Sequence, residues 1–168
     1  MAEVGVALQD ELRREAFRVE EDSIHSGKAH YEAATRWRRV NLSLGIPATV
    51  VAAAAGVSAF KDAPLVGAFL AFTAAALSAL LTFLNPDARA SAHAAAGAAY
   101  IALRNQARIF ANIDLRAQDH ADSRAFLAEL ASKRDELNAS SPAVPKWAFE
   151  QARRGIAAGQ SEYRVDST

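Results

Sequence analysis

Four histidines, a scatter of arginines and a row of hydroxyl and amide side chains are the groups in this chain that could do chemistry. His25, His30, His93 and His120 show no spacing that brings two imidazoles onto one helix turn. His25 and His30 are five residues apart and face differently, so no metal site is expected. No glycine-rich phosphate loop precedes a helix, no serine elbow appears, and no nucleophile stands at motif spacing from a base. Asp87, Asp135 and Glu136 read as capping or solvated carboxylates. The absence of cysteine excludes disulfide staples and thiolate metal sites. A non-enzymatic protein that needs no cofactor is the expectation.

The basic residues offer binding instead of catalysis. Arg36, Arg38 and Arg39 flank Trp37, a composition suited to anchoring at a membrane interface and attracting anionic lipid. Arg104 and Arg108 share one face of a helix, and Lys28 opposes them if two helices run antiparallel. Repeated around a symmetry axis, Lys28, Arg36, Arg39, Arg104 and Arg108 would make a positive cavity for a phosphate-bearing ligand. Ordinary surface salt bridges are the competing reading.

Ala71, Ala75, Ser78, Thr82 and Asn85 recur at spacings of 4, 3, 4 and 3 and therefore share one helix face. Gly45, Thr49, Ala52, Gly56 and Ala59 do the same earlier in the chain. Stripes of small residues let helices approach closely, either within a hairpin or between copies. The sharper alternative is that Ala71, Ala75, Ser78, Thr82 and Asn85 line a water-filled pore, where hydroxyls and amides are tolerated. One hairpin cannot enclose a channel, so a pore needs a homo-oligomer, of about four copies by pore geometry. No charged ring lies in the stripe, so no ion-selectivity filter is legible.

The elements that must position these groups follow from charge patterning. Basic and acidic residues balance at nineteen each, yet Val40 to Leu84 carries only Lys61 and Asp62. Val40 to Phe60 is 21 residues without a charge, and Ala63 to Leu84 is 22. At about 1.5 Å per residue each makes a helix of roughly 30 Å, the thickness of a hydrocarbon core. Two buried helices of a soluble bundle would need more apolar cover than the flanks supply. The expected architecture is an all-α membrane protein: a cytosolic N-terminal helix over 1–39, a transmembrane hairpin over 40–84 and a cytosolic helical region over 85–168. The spans are 40–60 and 63–84, joined by an outer turn at 61–64. Lys28, Arg36, Arg38 and Arg39 before the hairpin, with Arg89 and Arg104 after it, place both termini in the cytoplasm. Glu3, Asp10, Glu11 and Glu15 exclude a secretory signal in the first fifteen residues.

Within the flanks, residues 5 to 38 read as one helix running into the first span, with Phe17, Ile24 and Tyr31 recurring every seven on one face, Ala34 near the same face and Gly27 a soft spot. Asn85-Pro86 starts a helix to about Arg116, on which His93, Tyr100 and Ala107 align. Its alanine-rich stretch from Ala88 to Ala102 must pack closely, most economically on the first helix. Asp122 or Ser123 is expected to cap a helix through Leu137, with Leu127, Leu130 and Leu137 inward. A last helix spans Lys146 to Ala158, closed by Gly159, and the tail from Gln160 is expected to be mobile.

The layout resembles the SLATT superfamily of two-transmembrane effector domains. The resemblance rests on "HY" (His30, Tyr31), "RWRR", the short hairpin, "LNP" (Leu84 to Pro86), "H…Y…LR" (His93, Tyr100, Leu103, Arg104) and a late Pro145, Ala152, Ile156, Gly159. It covers nearly the whole chain. It implies a bacterial defence effector that oligomerises and permeabilises the inner membrane, encoded near a nucleotidyltransferase. A cyclic nucleotide or short oligonucleotide made by that partner would regulate the pore. It transfers no catalytic residue. A membrane-anchored adaptor that binds a protein partner is the alternative of a different class.

Overall fold

Long runs of alanine, leucine and charged residues, broken by few prolines and glycines, favour helix almost throughout. The computed structural model describes residues 2–59, 63–117 and 119–161; apart from short connections these are helical, with no strand among them. Helix α1 spans Ala2–Ala59, α2 Pro64–Leu84, α3 Pro86–Asn112, α4 His120–Ser140 and α5 Lys146–Ala157, with a 3-10 turn at Asp114–Arg116. The single long first helix and the proline-started third agree with the sequence reading. Asn85 closes α2 in the left-handed conformation (φ 42°), and its N–H donates to the Leu81 carbonyl. Pro86 then begins α3 at the position where its missing N–H costs nothing. Lys61 and Asp62, expected in the outer turn, lie outside the described residues.

The chain divides into two units, Met1–Ala33 with Ala92–Thr168, and Ala34–Ser91. In the first, α1 and α3 run antiparallel, since contacts to α3 and the turn beyond it descend in number as α1 ascends. Gln9 Nε2 donates to the Leu115 carbonyl at 2.7 Å, and Glu20 meets Arg104 at 3.5 Å. Gly27 faces Gly97, and His30 faces His93. Leu12, Ala16 and Val19 of α1 pack with Leu103, Ala107, Phe110 and Ala111 of α3, Leu115, and Leu130 of α4. Phe126 of α4 meets the Phe110 ring at 5.1 Å. Leu127 and Leu137 pack against this core as expected.

Several local expectations need correction. The inward face of α1 carries Leu12, Ala16, Val19 and Ser23, while Phe17 and Tyr31 are substantially exposed; of the expected seven-residue series only Ile24 is buried, together with Ala34 near that face. The true buried period mixes steps of three and four, as an undistorted α-helix requires. Gly27 is a point of close approach instead of a soft spot. Helix α4 is capped by Asp119, whose carboxylate accepts from the Ala121 and Asp122 N–H groups, and it continues to Ser140. Those two bonds hold the Asp119 carboxyl below its ordinary pKa. Ser123 is fully buried instead of capping. Asp119→Ala should fray the first turn of α4 and lower the melting temperature by a few degrees, read by thermal unfolding and by faster amide exchange at Ala121 and Asp122. Helix α5 ends as expected before Gly159, which adopts φ 80°. Gln160 and Ser161 continue this turn, and the rest of the tail lies outside the described residues.

In the second unit, α1 and α2 are two helices long and apolar enough to cross a membrane. Their contact face is narrow. Leu44, Ala48, Val51 and Ala55 on α1, and Leu70, Ala74, Leu77 and Leu81 on α2, are the buried or half-buried positions at helical spacing. The phenylalanines and several leucines point away: Leu65 is 86% exposed, Phe72 74% and Phe83 85%. Pro47 sits inside α1 and takes away the donor that would reach the residue 43 carbonyl. The Arg89 guanidinium lies 4.9 Å above the Trp37 ring, a cation–π contact on a residue expected to anchor at the interface.

Candidate functional site

The outward face of α2 holds the row Ala71, Ala75, Ser78, Thr82 and Asn85, and all five are exposed. Thr49, Ala52 and Gly56 on α1 are exposed as well, and a Cβ added at Gly56 would meet nothing within 4 Å. Gly45 of the α1 stripe is half-buried beside Leu81, but the exposed members of both stripes are not what holds the hairpin to itself; that contact uses the faces around Ala48 and Ala74. Thr82 Oγ1 donates to the Ser78 carbonyl at 3.0 Å, and Thr49 Oγ1 to the Gly45 carbonyl at 2.9 Å. Such bonds satisfy the hydroxyls within their own helix and let the same face meet lipid, another helix or water.

Of the five basic residues read as an anion site, Lys28, Arg104 and Arg108 belong to the first unit and Arg36 and Arg39 to the second. Lys28 and Arg104 come close enough to interact. Burial lowers the Lys28 pKa, the Arg104 charge lowers it further, and Glu32 opposes the shift. Arg104 is also matched by Glu20 at 3.5 Å, with both side chains largely covered. The acidic residues on α1 therefore neutralise much of the field that the sequence reading assigned to this cluster. Arg36 and Arg39 are exposed.

A polar centre that the sequence reading did not assemble lies between α1 and α3. His30 and His93 are both buried, and their Nδ1 atoms are 3.0 Å apart. At that distance one Nδ1–H donates and the other Nδ1 accepts, so at least one ring is neutral. The Tyr100 ring stacks on His30 with centroids 5.5 Å apart and planes 18° off parallel, and its hydroxyl donates to Asn138 Oδ1 of α4 at 2.7 Å. Burial pushes the His30 pKa down to about 4, with the nearby His93 as a second cause, and burial also lowers His93. Burial raises the Tyr100 pKa, partly offset by a hydrogen bond with Ser141. The seven-residue step from His93 to Tyr100 was visible; their meeting with His30 depends on the antiparallel register, which a single-helix pattern does not contain. Among the described residues no group of three or more His, Asp or Glu is placed to hold a metal ion.

The chain matches no family model, and no curated protein or solved structure is detectably similar to it.

Proposed function

We propose that this protein is a homo-oligomeric pore of the bacterial inner membrane, with both termini in the cytoplasm, acting as a defence effector gated by a nucleotide or short oligonucleotide from a neighbouring nucleotidyltransferase. The observation that carries the membrane part is the hairpin's inside-out composition. Its narrow contact face centres on Ala48 and Ala74 flanked by leucines, while Phe69, Phe72, Phe83, Leu42, Leu65 and Leu80 point outward, as large apolar side chains do in lipid. The exposed row from Ala71 to Asn85 leaves a second surface on which copies can meet or a lumen can form. The assignment to defence, and the nucleotide as regulator, rest on the resemblance to SLATT proteins.

Expression without the partner enzyme is expected to depolarise the membrane and arrest growth. Reconstituted into liposomes, Ser78→Leu and Thr82→Leu should each cut conductance severely, while Ala79→Leu, off the row, leaves most of it. Cells that keep their potential at high expression, or equal conductance in all three variants, would sink the pore.

A membrane-anchored adaptor is the second reading, favoured by the internal bond of Thr82 Oγ1, which removes the need for water on the row. Replacing residues 40–84 by an unrelated hairpin should preserve the activity of an adaptor and abolish that of a pore.

A further inference from the structure

The first unit contains a cleft of about 320 Å³ where α1, α3, α4 and α5 meet. Its chemistry is mixed in a particular way. Phe149 of α5 is nearly half exposed and meets His25 of α1 with centroids 6.2 Å apart and planes 32° from parallel. That is a loose, tilted aromatic pair, which leaves ring surface to offer a third ring. His25 Nδ1 is shielded from solvent and has no hydrogen-bond partner among the described residues. His25 therefore offers the cleft its ring and not this nitrogen. Asn138 adds an amide to the same wall, and Tyr100 its hydroxyl.

Charge narrows the occupant. Arg134 is engaged by Asp22 at 3.5 Å and Asp135 at 3.1 Å, so much of its charge is already answered. Arg153, at the exposed side of the cleft, enters no ion pair among the described residues. Together the lining Asp22, Arg134 and Arg153 leave one net positive charge. The volume sits at the lower end of ligand pockets, roughly 300–1,000 Å³. A site of this size and charge suits one ring system and one anionic group, and is poorly matched to a chain of phosphates.

We propose that this cleft binds a small anion carrying a planar aromatic ring, with Phe149 and His25 against the ring and Arg153 on the anion. Two sources share that chemistry, a nucleoside monophosphate and an aromatic carboxylate. Binding here stands independently of whether the hairpin conducts, because it can be measured without a membrane potential. Because Tyr100 and Asn138 line the cleft and Tyr100 also stacks on His30, occupancy would be felt at the buried histidine pair.

The test is isothermal titration of the full chain in detergent with AMP, GMP, indole-3-carboxylate, adenosine and inorganic phosphate. AMP or GMP, or else indole-3-carboxylate, should bind, and which of them binds identifies the source. Adenosine and phosphate alone should each bind about tenfold more weakly or worse. Arg153→Ala and Phe149→Ala should each weaken the productive probe about tenfold, and Arg124→Ala, on the exposed face of α4, should not. Both altered side chains are exposed, so unchanged melting temperatures will show that the fold survives. The proposal is overturned if no ring-bearing anion binds by about 1 mM, if phosphate alone binds as well as the tightest ring-bearing anion, or if both variants keep full affinity.

Discussion

Gly97→Leu should separate α1 from α3 and destabilise the first unit by about 3 kcal/mol, the upper end of what overpacking costs. A Cβ at Gly97 would lie 3.1 Å from the Gly27 carbonyl oxygen and 3.1 Å from the Tyr31 ring. The first of these is backbone and cannot turn aside. A leucine adds three further carbons in the same direction, so the helices must part or shift register, and the His30–His93 contact beyond them is lost as well. Gly27→Ala is the informative contrast. Its Cβ would meet the Ile101 Cδ1 at 3.0 Å, the end of a flexible side chain, with the Gly97 carbonyl at 3.3 Å. Replacing glycine by alanine inside a helix gains up to about 1 kcal/mol, which offsets a small adjustment of Ile101. Thermal and urea unfolding of the full chain in detergent should rank wild type and Gly27→Ala together, Gly97→Ala below them, and Gly97→Leu far below. If Gly97→Leu unfolds with the wild type, the close approach of α1 and α3 at this level is wrong.

That contrast also explains what was legible in the sequence. The alanine-rich run after Pro86 announced close packing on the first helix, because small side chains let two helix backbones approach, as Ala90 and Ala96 do where they are buried. Asn85-Pro86, Gly159 and the two charge-free stretches announced helix ends and lengths, since each depends on neighbours within one turn. The inward face of α1 was misread because Phe17 and Tyr31 are large and apolar, and a seven-residue step tracks a helix face for only two or three turns. The Asp119 cap was missed for a different reason. Asp119, Asp122 and Ser123 are all good N-cap types, and only the extended backbone at Asp119 selects among them. Lys28 and Arg104 were brought together as expected, yet Glu20 on the same face of α1 changes what the pair can do. The histidine pair and the cleft beside Phe149 depend on which residues of distant helices lie level, and composition contains no such information.

Acid should loosen the first unit through the histidine pair, and the sign follows from where the proton is refused. The His30 pKa falls from 6.5 to about 4 on folding, first because burial penalises the charged ring and second because His93 is adjacent. Between those values the unfolded chain takes up a proton that the folded one excludes. The stability associated with His30 is therefore complete above about pH 6.5, declines by about 1.4 kcal/mol per unit below it, and is lost by about pH 4, a total of about 3 kcal/mol. His93 is shifted in the same direction and steepens the decline. Geometry supplies the same answer: with both rings protonated, two N–H groups would face each other across 3.0 Å. Carboxylates also titrate near the lower end of this window, so the comparison must be with a chain that lacks the pair. His30→Leu combined with His93→Leu replaces both partners by apolar groups of similar size, which is nearly neutral at pH 7.5 when a buried hydrogen bond is removed whole. His93→Leu alone strands the His30 Nδ1 and should cost about 1–3 kcal/mol even at neutral pH. Urea unfolding of the full chain in detergent at pH 7.5, 6 and 4.5 should show a steep loss in the wild type and a much flatter profile in the double variant. Parallel slopes would assign the acid sensitivity to the carboxylates and remove the pair from the account.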